Sequence, residues 1–551
     1  MTPDIAYSSL LPLLVVLGTA IVSVLVEAFA PARHRYAAQL VLYLGGLVAA
    51  LVTVVLLAGT RLVTAGGAVA VDGPALFLQG ATVLVAIGAG VLIGERSRVG
   101  APAGASSDAV GASATASRPV LAGFAPQAAL APGGDAEREA ERAGVSQTEV
   151  FPLALFATGG LMLFPAANDL ITLFIALEVL SLPLYVMCGM ARRRRLLSQE
   201  SAVKYFLLGS FSSAIFAYGA ALIYGYAGTV EFGGIAAVVA TEGGSSLALI
   251  GVAMMSVGLL FKVGAVPFHT WTPDVYQGAP TSITAFMAAG TKLAAFGAIL
   301  RFFHTAVPRL EDDWAPVLWV IAALTMIVGT VVGVTQNDVK RLLAYSSVAH
   351  AGFLLTGVLG PPAAGTSAVL FYLAAYAVST VGVFAVAGLV RAPDGAEITD
   401  LRAWAGLGRR QPLVAGAFAL LLLALAGIPL TSGFIAKFAV FSAAVAGGAV
   451  SLVVIGVLTS AIAASFYVRV IVVMFFRDAG EVDSGGAGSG RFGSAGSGSA
   501  GSGSAGSGEV AFARRPVTYA VVGVAVLVTI LLGIMPQPLL DLASTAAAFA
   551  G

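Results

Sequence analysis

The sequence predicts an all-α polytopic membrane protein of about fourteen transmembrane helices. Three observations carry this. Of 551 residues, 58% are hydrophobic and only 10% charged, whereas soluble domains carry about a quarter charged residues. The apolar residues fall in long runs, each able to cover roughly 30 Å of hydrocarbon. Between the runs the basic residues alternate from one side to the other, as expected when positive charge collects in short cytoplasmic loops. A soluble fold is excluded, because so few polar residues cannot coat a dozen apolar segments.

In order, the runs are Ile5 to Phe29, Leu40 to Leu57, Leu76 to Gly94, Phe151 to Phe164, Leu170 to Met190, Val203 to Tyr226, Leu247 to Pro267 and Ser282 to Phe303, then Val317 to Thr335, Leu342 to Leu359, Leu370 to Val390, Pro412 to Ser442, Leu452 to Phe476 and Val517 to Met535. Loops after odd-numbered runs hold Arg33 and Arg35, Arg96 and Arg98, Arg192 to Arg195, Lys340 and Arg341, Arg391 to Arg410, and Arg477 with Arg514 and Arg515. Loops after even-numbered runs hold little beyond Arg61, Arg309 and acidic residues. Both termini are therefore expected outside the cytoplasm. The amino end lacks a basic n-region and reads as a retained first span.

Residues 1–96 supply three spans, and residues 516–551 the last span and a tail. Two stretches, 97–149 and 478–513, are rich in Ala, Gly and Ser and are expected to be disordered cytoplasmic loops. The second has no Gly-Lys-Ser/Thr and no preceding strand, so it is not a phosphate loop. A single cysteine, Cys188, excludes an internal disulfide framework and a cysteine-held iron–sulfur site. A net charge of +1 carries no nucleic-acid signature.

Charges inside the runs need a reason, since one near a bilayer centre costs about 3 kcal/mol or more unless it is paired or hydrated. The chain has five lysines against twenty-four arginines, and four of the five lie in apolar surroundings. Glu178 sits midway along its run, one turn before Pro183. Lys204 opens the next run, where it either snorkels to the interface or partners Glu178. Lys262 precedes Pro267, Pro273 and Pro280, which break the helix and free carbonyls that tolerate water or cations. His269, Thr270, Trp271 and Asp274 follow the break; His269 serves either a loop hydrogen bond or proton exchange. Lys292 is central in the following span. Tyr345, Ser346, Ser347 and His350 can line a hydrated path, although His350 fits equally as a satisfied core histidine. Lys340 and Arg341 read as ordinary cytoplasmic anchors. Lys437 follows a second break at Gly427, Pro429 and Gly433, and two such breaks suggest two related halves. Arg469 either snorkels or closes the path at its end. Burial brings lysine, but not arginine, toward proton exchange near neutral pH, so the series reads as a proton relay.

The motifs FIALEVLSLPLYVM around Glu178, SAVKYFLLGSFSSAIFAYG around Lys204, LLFKVGAVPFHTWTPDVYQGAP around Lys262, GTKLAAFGAILR around Lys292, TQNDVKRLLAYSSVAHAGF around His350 and GIPLTSGFIAKF around Lys437 together resemble the subunit N family of NADH-quinone oxidoreductase, antiporter-like membrane subunits of bacterial respiratory complex I. The resemblance implies two inverted-topology five-helix repeats, residues 150–303 and 314–477. It implies Glu178 and Lys204 as a coupling pair, Lys262 as central carrier exchanging protons with Lys292 and His350, and Lys437 as the terminal residue toward the exit. It further implies no cofactor and no metal in this chain. NADH, FMN, iron–sulfur clusters and quinone would be used by other subunits of a hetero-oligomer in the bacterial plasma membrane, with antiporter-like and small membrane subunits as partners. Two other readings compete: a subunit of a multisubunit sodium/proton antiporter, and a scaffold whose buried charges only hold helices together.

Overall fold

A computed structural model describes residues 5–97, 120–126, 134–143, 145–192, 194–392, 396–477, 511–513 and 515–550. The helices are α1 Leu11–Phe29, α2 Ala32–Leu56, α3 Gly73–Ile93, α4 Asp135–Arg142, α5 Val150–Leu163, α6 Leu170–Cys188, α7 Arg195–Ala227, α8 Phe232–Glu242, α9 Ser246–Val263, α10 Trp271–Gly278, α11 Thr281–Arg301, α12 Glu311–Thr335, α13 Val339–Val358, α14 Pro362–Ala387, α15 Leu407–Arg410, α16 Pro412–Ala426, α17 Ser432–Ala446, α18 Val450–Phe476, α19 Pro516–Ile534 and α20 Gln537–Thr545.

Among the described residues, eleven helices are long and apolar enough to cross a membrane. The three remaining expected spans correspond to α5, α13 and the split pair α16 and α17. The chain is a multi-pass membrane protein. Helix α8 falls in a stretch read as loop; its apolar residues Phe232, Ile235 and Val239 recur at helical spacing and are buried.

Polar side chains set several helix starts by accepting backbone N–H groups that the first turn leaves unpaired. Asp72 caps α3 through Ala75 N–H at 3.1 Å, Asp169 caps α6 through Thr172 N–H at 2.6 Å, and Asp338 caps α13 through Arg341 N–H at 3.0 Å. Both expected helix breaks are present. Helix α9 ends at Gly264 with φ +73°, and α16 ends at Gly427 with φ +83°, a left-handed conformation that favours glycine.

Helices α11 and α14 form the centre of the bundle: every residue of α11 but Ser282, and most of those of α14, are buried. Outer helices such as α1, α7 and α18 expose large apolar side chains, as lipid-facing helices do.

The loops depart in part from the expectation of disorder. Arg96–Ser97 pairs antiparallel with Val120–Leu121, and Val390–Arg391 with Ala511–Phe512. Leu121, Phe124 and Phe512 are buried, which supplies the apolar anchor that loop composition as a whole lacks. Asp135–Arg142 is helical. Residues 98–119, 127–133, 144 and 478–510 lie outside the described ones.

Candidate proton-relay site

Glu178 and Ser181 lie one turn apart on α6, and Lys262 projects toward them from the last turn of α9. Lys262 is 2% exposed. Its Nζ donates to Ser181 Oγ at 2.6 Å and lies 5.6 and 5.3 Å from the ring centres of Tyr185 and Tyr205. Those ring faces partly replace the lost hydration of a cation. Glu178 interacts electrostatically with Lys262, and its Oε1 is buried without a hydrogen-bond partner.

The break after α9 presents a carbonyl to the next lysine. Lys292 Nζ, from the central helix α11, donates to Val263 O at 2.7 Å. The segment beyond is fixed from α12, where Thr325 Oγ1 accepts Val266 N–H at 3.0 Å. His269 stands in the break with its ring 6.4 Å from that of Tyr345.

The second break repeats this chemistry. Lys437 Nζ, on α17, donates to Ala426 O at the end of α16 at 2.8 Å and to Ser460 Oγ of α18 at 2.7 Å, and lies 4.7 Å from the Phe353 ring centre. Between the two sites stands His350 of α13, which interacts electrostatically with both Lys292 and Lys437. Its Nδ1 pairs with Tyr372 Oη at 2.7 Å and its Nε2 with Tyr467 Oη at 3.5 Å. Tyr467 in turn pairs with Ser346, and Tyr376 Oη donates to Ser347 Oγ at 3.0 Å. Thus His350 is a satisfied histidine and also part of the hydroxyl cluster between the two sites.

Of the two roles expected for Lys204, pairing with Glu178 is not found, and the more exposed position is. Its Nζ lies 2.7 Å from Glu200 and 2.8 Å from Asp274, and its side chain is 42% exposed. The reason is geometric, since Glu200 precedes Lys204 by one turn of α7 and the broken span delivers α10, with Asp274, against that turn. Lys340 also departs, being buried rather than an interfacial anchor. Its Nζ donates to Ala279 O at 2.8 Å and lies 3.8 Å from Glu397. Glu397, in the loop after α14, accepts from Arg391 at 2.9 Å and from the Thr281 hydroxyl at 2.7 Å. Burial opposes its charge, but Arg391, Lys340 and Thr281 outweigh that and hold its carboxyl down at about 2. Arg469 donates to Gln336 O.

Ser181, Ser460, Tyr372 and Tyr467 were not singled out in the sequence, where a hydroxyl in an apolar helix carries no distinguishing signal. Arg301 and Asp72 form a fully buried pair at 2.7 Å, 229 positions apart in the chain.

Lysines held at two membrane-embedded helix breaks, with a histidine between them, define an antiporter-like membrane protein. A family profile described as NADH:quinone oxidoreductase/Mrp antiporter, TM, matches residues 167–463. NADH-quinone oxidoreductase subunit N of Rhodococcus opacus is 59% identical over 549 residues, covering 99% of this chain and 97% of that protein. Subunit N of Mycobacterium tuberculosis strain H37Rv is 54% identical over 553 residues, covering 99% and 98%. Among solved structures, a chain of respiratory complex I from Thermus thermophilus with bound aureothin superposes with TM-score 0.72 at 29% identity, covering 97% of this chain and 99% of that one. A chain of the Mrp complex from Dietzia superposes with TM-score 0.75 at 22% identity, covering 99% and 97%, a likeness of fold. The chain belongs to this antiporter family, and within it to the NADH-quinone oxidoreductase subunit N group.

Proposed function

We propose that the chain is a proton-translocating membrane subunit of NADH:quinone oxidoreductase, in which electron transfer from NADH to quinone in other subunits drives protons along a buried relay. The observation that carries this reading is the row of lysines at the two breaks: Lys262 on Ser181, Lys292 on Val263 O, and Lys437 on Ala426 O and Ser460. A hydroxyl or carbonyl acceptor receives each ammonium proton, and lysine, unlike arginine, can give its proton up, so each of these lysines can pass a proton along the row. His350 and its tyrosines connect Lys292 with Lys437. Glu178 sets the field at Lys262, and Lys204 joins the relay through Asp274 rather than directly through Glu178.

Residues 150–303 and 314–477 act as two inverted-topology repeats, each containing one broken helix. The chain works in the bacterial plasma membrane, with both termini outside the cytoplasm, beside other antiporter-like and small membrane subunits. NADH, FMN, iron–sulfur clusters and quinone belong to those other subunits.

The test is NADH-driven proton uptake by membranes carrying assembled Lys262→Ala complex. The expected result is a proton-to-electron ratio well below wild type, and pumping at the wild-type ratio sinks the relay. The fold likeness to the Mrp chain supports a second reading, exchange of sodium for protons without a redox partner. Sodium-dependent proton movement without NADH would favour it.

A further inference from the structure

The charges that hold Lys204 reach across both halves of the bundle. Asp274 lies in α10, the short helix that resumes the first broken span, and its two oxygens serve different helices. Oδ2 accepts from Lys204 Nζ of α7 at 2.8 Å, and Oδ1 accepts from Arg341 Nη1 of α13 at 2.7 Å. The backbone of α10 is gripped from the same two sides. The Ser201 hydroxyl of α7 donates to Asp274 O at 2.8 Å, and Lys340 of α13 donates to Ala279 O, which caps α10, at 2.8 Å. Gln277 accepts from Arg341 at 3.2 Å and donates to Asp338 at 2.9 Å. No slack remains at the contact with α7: a Cβ on Gly278 would stand 1.9 Å from Ser201 Oγ and 2.5 Å from Leu197 O.

A packed path leads from this clamp to the relay. Trp271 lies one turn before Asp274 on α10. Its ring stacks on that of Tyr205, the residue after Lys204, at 4.6 Å between centres, and its Nε1 donates to Phe261 O at 2.9 Å. Phe261 adjoins Lys262, and the Tyr205 ring centre is 5.3 Å from Lys262 Nζ. An eight-residue helix is a rigid lever of about 12 Å, so displacement at Asp274 is delivered to the turn that carries Lys262.

We propose that Asp274 is a positioning residue that ties Lys204 to Arg341 across α10, so that movement or loss of charge at Lys204 shifts the helix break beside Lys262 and is transmitted to α13, the helix of His350. This rests on the relay reading above. Each oxygen of Asp274 serves one cation, so removal of either cation leaves the carboxylate to the other and pulls α10 toward one half. The paired side chains are 29% to 42% exposed, where ion pairs are individually weak. Their effect is therefore on position more than on stability.

The test uses the whole complex in sealed vesicles, with NADH oxidation and proton uptake measured on the same sample for wild type, D274N, D274E, R341Q, D274N/R341Q and K262A. D274N and R341Q are each expected to lower the proton-to-electron ratio by about three- to tenfold. D274E should restore most of it, and the double variant should be no worse than the worse single variant, because both cut one link. A wild-type ratio in D274N alongside a defective K262A overturns the link and leaves the relay standing. Losses in D274N and R341Q that multiply in the double variant also overturn it. A wild-type ratio in K262A overturns the relay and the link with it. Should D274N fail to assemble, K204Q and R341Q probe the same link from its two ends, with the same outcomes deciding.

Discussion

Lys262 Nζ and Ser181 Oγ lie 2.6 Å apart, and Ser181 stands one turn beyond Glu178 on the same helix. This hydroxyl is the hydrogen-bonding contact between Lys262 and the helix that bears Glu178, beside the Tyr185 ring on the same helix.

Replacing Ser181 with alanine removes that acceptor and leaves a buried donor unpaired, which costs about 1–3 kcal/mol. Expressed as a rate, this is a loss of roughly fivefold to 160-fold in proton transfer. S181T, which keeps a hydroxyl, should retain most of the activity. Proton uptake per NADH oxidised, in vesicles containing the assembled complex, measures both.

Gly427 closes α16 at φ +83°, and a Cβ there would stand 2.9 Å from Lys437 Cδ and 3.3 Å from its Nζ. G427A therefore strains the backbone by about 1–2 kcal/mol and displaces Lys437 from Ala426 O and Ser460. The expected phenotype is a reduced proton-to-electron ratio in a complex that still assembles, read from native gels and proton uptake in parallel. Undiminished pumping by G427A would show that the seat of Lys437 is unimportant.

The Arg301–Asp72 pair is wholly buried, Asp72 also accepts from the Ala550 backbone, and the Phe549 ring centre lies 5.0 Å from the guanidinium. D72N leaves Arg301 as an uncompensated buried charge, at a cost of about 3–5 kcal/mol. The amount of complex assembled in membranes should fall sharply. The double variant D72L/R301M should assemble better than D72N, because apolar residues of similar volume carry no charge to desolvate.

Glu397 makes a prediction in pH. Its carboxyl is held at about 2, below the ordinary value of 4.5, by Arg391, Lys340 and Thr281 against the opposing effect of burial. A depressed value means that folding favours the ionised form, so the stabilisation is complete above about 4.5 and is lost as pH falls from there through about 2. Its size is on the order of 3 kcal/mol. Thermal unfolding of solubilised complex between pH 6 and pH 3 should show wild-type stability declining toward acid. E397Q should start lower and decline less, and parallel profiles would refute the assignment.

Much of the fold was legible because membrane burial writes itself along one dimension. A run's length gives a crossing, a proline or glycine inside it gives a break, and a lone lysine within it marks a site. This is how the breaks beside Lys262 and Lys437, and the depth of Lys292, could be read before any helix was placed. Helix α8 escaped because eleven residues are too short to register as a crossing, and the ordered strands at Val120 and Ala511 escaped because a few buried side chains are diluted by the composition around them.

Lateral relationships could not be read in the same way. Lys204 and Glu178 lie on successive helices and carry opposite charges, yet Lys204 meets Asp274, from a helix placed beside it only by the break in the first span. Lys340, taken for an anchor, is buried because the Ala279 carbonyl and Glu397 lie beside it. Arg301 finds Asp72 across 229 positions of chain. The order of apolar and charged residues set how deep each group lies and where each helix stops, because transfer into hydrocarbon acts on residues singly. Which charge faces which was decided only by the packing of the helices, because Coulomb forces and hydrogen bonds act over a few ångströms in space and take no account of distance along the chain.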